Sequence, residues 1–119
     1  MIDEMKSLKE DYLKSLPIKA TQIRKCIEAI THELGQDSKS TLWETLETLV
    51  HKTAGSSGTY GFYTISKLAF ELEEKLNQKT ICNCSPEQAA QLLNSWLIKF
   101  TQEITFLFQD IQTQKDQVA

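Results

Sequence analysis

From Leu16 to Leu34 the apolar residues Leu16, Ala20, Ile23, Ile27, Ile30 and Leu34 follow one another at steps of four, three, four, three and four. That spacing gathers all six side chains on one face of an α-helix, whereas a strand would scatter them over both faces. Pro17 suits the first turn of such a helix, where its missing N–H would have had no partner, and Gly35 suits a left-handed C-cap. The same period returns three times. Leu42, Leu46, Leu49 and Thr53, with Trp43 and Val50 beside them, form the inner face of a second long segment. Ile65, Leu68, Ala69, Leu72 and Leu76 mark a third. Leu93, Leu97, Phe100, Ile104, Leu107 and Ile111 mark a fourth, which opens on Ser85-Pro86-Glu87-Gln88, a capping-box pattern with proline at the first helical position.

Ahead of these, Met5, Leu8, Tyr12 and Leu16 predict a short separate helix with Asp3 as its cap. Asp37, Ser38 and Ser40 are candidate caps for the helix that follows the first polar connector. Glycines at 55, 58 and 61 make continuation costly beyond that helix, by about 1 kcal/mol each relative to alanine. No run alternates with period two, and four glycines with two prolines are too few for the tight turns of an all-β chain. The expected fold is all-α: one domain over 1–119, with an antiparallel four-helix bundle over 17–114, a short additional N-terminal helix over 1–16 and a frayed tail over 115–119.

Thirteen Lys and Arg stand against sixteen Asp and Glu, a net charge of −3 with no basic tract. That argues against nucleic acid and anionic membrane surfaces, which demand clustered cations. No window approaches the ~18 uninterrupted apolar residues of a membrane span. The charged start Met1-Ile2-Asp3-Glu4-Met5-Lys6 does not read as a secretory signal. Cys26, Cys82 and Cys84 are odd in number, which favours reduced thiols and a cytoplasmic chain.

The two histidines are unequal. His32 is turned away from Ile30 and Leu34 with nothing clearing space beside it, and reads as a solvated residue. His51 lies about 200° around its helix from Leu49 and Thr53, outside the core stripe. The residue that would overlie its imidazole four positions on is Gly55, which has no side chain. Helical glycine is destabilising, so clearing space beside an exposed imidazole is a reason for it. An imidazole titrates near neutrality and offers a neutral nucleophile at pH 7. No Asp or Ser partner stands at local spacing for a hydrolase triad. Open access suits a bulky partner, such as a protein that delivers a phosphoryl group, with Lys52, Ser56 and Ser57 near enough along the chain to supply charge and hydroxyls.

The segment His51-Lys52-Thr53-Ala54-Gly55-Ser56-Ser57-Gly58-Thr59-Tyr60-Gly61-Phe62, followed by Leu68-Ala69 and Leu72-Glu73, resembles the histidine-containing phosphotransfer (HPt) domains of multistep phosphorelays. The resemblance implies that Nε2 of His51 accepts a phosphoryl group from an aspartyl phosphate on a receiver domain and can return it. It implies receiver domains and a hybrid sensor kinase as partners, a monomer, and no cofactor on this chain, since the receiver supplies Mg²⁺. Lys52, Gly55 and Ser56 are then the supporting residues, and Thr48, Ile23 and Ile27 the candidate docking face around His51. Many members carry lysine three residues after the histidine, where this chain has Ala54; the basic residue nearby is Lys52, about 100° around the helix from His51, and the sequence leaves open whether it takes that lysine's place. No GxxxxGK[ST] loop is present, so ATP-dependent kinase activity is not expected.

The competing reading is a non-catalytic helical adaptor that binds a receiver or kinase without phosphorylation. A helical metalloprotein is a third, but Cys82-Asn83-Cys84 lacks the second ligand pair of a structural zinc site. Ser57 reads best as a small residue that permits close helix packing. Trp43, Trp96, Phe100, Phe106 and Phe108 read as core or helix-face packing, and Glu71, Glu73 and Glu74 as a solvated face.

Overall fold

In a computed structural model the chain forms α1 (Ile2–Glu33), α2 (Ser40–Thr59), α3 (Tyr63–Asn77) and α4 (Pro86–Val118). The structure describes residues 2–33, 40–77 and 85–118. Gly35, Asp37, Ser38, Cys82 and Cys84, which the sequence reading singled out, lie outside the described residues.

Each helix packs against two others, α1 against α2 and α4, and α3 against α2 and α4, as in a four-helix bundle. Cross-contacts give the directions. Tyr12 meets Ser57 while Cys26 meets Leu42, so α1 and α2 run antiparallel. Ala54 meets Ser66 while His51 meets Glu73, so α2 and α3 do too.

The separate N-terminal helix does not exist as such. Residues 2–16 are the first half of α1, which passes through Pro17 without a break. Proline removes one intrahelical hydrogen bond, a cost of about 3 kcal/mol inside a helix. It is tolerated because Pro17 is exposed, while Tyr12, Leu13 and Leu16 before it and Ala20 after it are all buried in one core. Tertiary packing of both halves outweighs the local penalty. At the other end α4 is helical to Val118, past the boundary expected at 114.

Leu16, Ile23, Ile27, Leu46, Val50, Ile65, Leu93 and Phe100 are fully buried. At about 1.5–3 kcal/mol for each large apolar side chain withdrawn from water, they dominate the favourable side of folding. Trp96 stacks on Phe100 with ring centroids 4.8 Å apart and donates Nε1–H to the Leu68 carbonyl at 2.7 Å, tying α4 to α3. Phe106 and Phe108 do not join them and are exposed on α4. The inner face of α2 is centred on Leu46, Val50, Ala54 and Ser57, while Leu42 and Leu49 are half-buried at its edge. The capping box at the start of α4 forms as expected: Gln88 N–H donates to Ser85 Oγ at 3.2 Å, and Ser85 N–H to Gln88 Oε1 at 3.4 Å.

The glycines did not end α2 where continuation was read as costly. Gly55 and Gly58 lie inside it, and among the described glycines only Gly61 takes a left-handed backbone, at φ +85°. Phe62 N–H reaches the Ser57 carbonyl at 2.8 Å and Gly61 N–H the Gly58 carbonyl at 3.1 Å. This paired closure is a Schellman motif with glycine at C′. The turn is covered by α1, where the Tyr12 ring stacks on Tyr60 and Phe62 at 4.8 and 5.9 Å.

Gly61→Ala should destabilise the fold by about 1–2 kcal/mol in urea unfolding, the cost of a left-handed Cβ, because the Lys9 side chain nearby is flexible and yields. Cys26 is buried and its thiol is pushed above its usual value by burial. In a Cys82→Ser, Cys84→Ser background, alkylation of Cys26 should be slow when folded and fast in denaturant.

Candidate functional site

The site grows from the register between α2 and α3. Ser66 Oγ donates to the Ala54 carbonyl at 2.7 Å. The bare Cα of Gly58 lets α3 approach there, since a Cβ would stand 3.3 Å from Ser66 Oγ. With Ser66 bonded to Ala54, antiparallel counting sets Ala69 level with His51, and Glu73, one turn further along the same face of α3, reaches back to the ring.

That pair is the main chemical feature of the molecule. The His51 side chain is 73% exposed and that of Glu73 11% exposed, and Nδ1 of the ring is hydrogen-bonded to Glu73 Oε2. A carboxylate only accepts, so Nδ1 carries a proton, and in the neutral ring this fixes the tautomer whose lone pair is on Nε2. Nε2 has no partner among the described residues. One nitrogen is therefore held by the protein while the other is left for a reactant, an arrangement that fixes the tautomer and orients the ring.

Glu73 corrects the reading of residues 71–74 as a solvated face: Glu71 and Glu74 are exposed, but Glu73 is buried. The signal was present in the pattern. Glu73 lies four residues after Ala69 and eight after Ile65, inside the apolar stripe of α3, where a charge needs a partner. Its partner comes from another helix, so local spacing around His51 did not reveal it.

Gly55 leaves the space beside the ring open, with nothing within 4 Å of where a Cβ would stand. His51, Ala54 and Gly55 of α2 and Tyr63, Ser66, Lys67, Phe70 and Glu73 of α3 line one open depression. Thr48 and Lys52 are exposed on α2 but are not among its lining residues. Ser56 is occupied elsewhere. Its hydroxyl donates to the Lys52 carbonyl at 2.8 Å, so toward Tyr12 Oη, 2.7 Å away, it acts as acceptor. Tyr12 thereby spends its only hydrogen, and the buried Ser57 donates to it at 2.8 Å. The three hydroxyls form one ordered chain that joins α1 to the last turn of α2. Ile23 and Ile27 are 0% exposed and belong to the core, which removes them from any docking face. The i, i+4 periodicity that marks them as apolar also buries them. His32 is exposed, as its position off the stripe implied.

Among the described residues no helix is long and apolar enough to cross a membrane, and no cluster of three or more His, Cys, Asp or Glu is placed to hold a metal.

Gly55→Ala should raise stability by about 0.5–1 kcal/mol in urea unfolding, because the site is helical and open. A loss of stability would mean that the glycine serves packing.

A family model described as Hpt domain matches residues 18–114. No curated protein and no solved structure matches the chain.

Proposed function

The chain belongs to the Hpt domain family, whose role is histidine phosphotransfer in phosphorelays, and from that premise we propose that it is a carrier that takes a phosphoryl group on His51 from a receiver-domain aspartyl phosphate and passes it to another receiver. The observation that carries this reading is the exposed His51 imidazole with Nδ1 on buried Glu73 and bare Gly55 alongside.

The chemistry follows from the tautomer. The Nε2 lone pair attacks phosphorus in line with the aspartyl oxygen, the N–P bond forms, and the P–O bond breaks with its electron pair returning to the aspartate. The phosphorylated ring retains its Nδ1 proton and is cationic, which strengthens the hydrogen bond to the Glu73 carboxylate as the reaction proceeds. Reversal returns the phosphoryl group to a second receiver. Mg²⁺ belongs to the receiver partner, and this chain contributes nucleophile, orientation and access. A hybrid sensor kinase upstream, a monomeric carrier and a cytoplasmic location complete the proposal, and the net charge of −3 without a basic tract suits a protein partner.

Incubation with a phosphorylated receiver domain should leave acid-labile, alkali-stable phosphate on the wild type and none on His51→Gln. Absence of label with several receivers would overturn the carrier in favour of a binding adaptor. Glu73→Gln keeps an acceptor but loses the charge, and should slow loading by roughly tenfold, the scale of a charge-assisted hydrogen bond. Gly55→Leu should abolish transfer while the protein remains folded by circular dichroism.

A further inference from the structure

We propose that Lys67 of α3 is the cation that holds the phosphoryl group on His51, in place of any lysine on α2. This rests on the carrier reading above. Phosphorylation brings about two negative charges into a depression that already contains the buried carboxylate of Glu73. Even with the cationic ring between them, the phosphoryl group and the carboxylate leave a net negative cluster, which a further cation within reach would stabilise.

Among the residues lining the depression, Lys67 is the one with a permanent positive charge. The register puts it at the right level. Counting from the Ser66–Ala54 contact sets Lys67 level with Thr53 and counting from the Glu73–His51 contact sets it level with Ser57, so the two bracket Gly55, which lines the same depression one turn along α2 from the imidazole. There Gly55 offers no side chain to obstruct an ammonium group crossing from α3. Lys67 is exposed and takes part in no ion pair among the described residues, so its charge is uncommitted. Its neighbours along the exposed face of α3, Tyr63 and Phe70, wall the same depression and offer the lysine stem an apolar bed. Lys52, the basic residue next to His51 on α2, is absent from that lining. Ala54 is buried and carries no charge.

The test separates this assignment from docking by loading His51 with phosphoramidate. Nε2 forms the N–P bond, the donor's P–N bond breaks, and ammonia departs. Wild type, Lys67→Ala, Lys67→Arg and Lys52→Ala are then compared by ³¹P NMR across a pH titration and by the rate of phosphohistidine hydrolysis. A nearby cation favours the dianionic phosphoryl group, so Lys67→Ala should move the phosphoryl titration to higher pH and change the hydrolysis rate by roughly fivefold, as an exposed charge pair sustains. Lys67→Arg should restore both, and Lys52→Ala should leave both at wild-type values. Phosphohistidine that titrates and decays alike in wild type and Lys67→Ala, or a larger effect from Lys52→Ala, would overturn the assignment while the carrier reading stands. Wild type that takes up no phosphoryl group from either phosphoramidate or a receiver overturns the carrier reading, and Lys67 with it.

Discussion

The hydrogen bond from Ser66 to the Ala54 carbonyl sets how α3 is registered along α2, and the chemistry of the molecule depends on that register. Sliding a helix by one residue moves it 1.5 Å and turns its faces by about 100°, enough to take Glu73 away from His51. The Schellman closure at Gly61 determines where α3 can start, Gly58 lets it come close, and Ser66 then holds it in register. Once these three are in place, Glu73 comes within reach of His51, and Lys67 lines the same depression as Gly55. Neither needs a device of its own.

The same region gives up stability in two ways. Gly55 lies inside a helix where alanine would be better by about 1 kcal/mol, and nothing packs against it. Glu73 is a buried carboxylate whose main partner is a largely exposed ring, so its desolvation is only partly offset. Elsewhere the bundle is conventional, with apolar residues filling the centre and buried polar groups such as Ser57 and Thr53 hydrogen-bonded. Both concessions lie beside the same imidazole.

Much of this was legible in the chain. Periodicity located the four helices because amphipathic stripes are long-range averages that survive local irregularity. It placed His51 outside the core for the same reason. What it missed were effects that depend on a second helix. Pro17 looked like a boundary because local propensity disfavours proline in a helix interior, yet burial of Leu13, Leu16 and Ala20 carries α1 through it. Ile23 and Ile27 looked near enough to His51 to matter, yet the stripe that identifies them also turns them inward. Glu73 looked like one of three surface carboxylates because its partner is 22 positions away. Ser56 looked like a free hydroxyl because nothing near it in the chain pointed to Tyr12.

The tether on Nδ1 has a kinetic consequence. A ring held along one edge by its own protein presents a single edge to the outside, and two receivers cannot occupy it together. On the carrier reading, each visitor must leave before the next can arrive, so traffic through the protein is ping-pong, and residence time of the departing partner limits throughput. Tight binding by either receiver would slow the relay. Selection on such a carrier therefore favours brief encounters over strong ones, with discrimination between partners expressed in how fast they arrive.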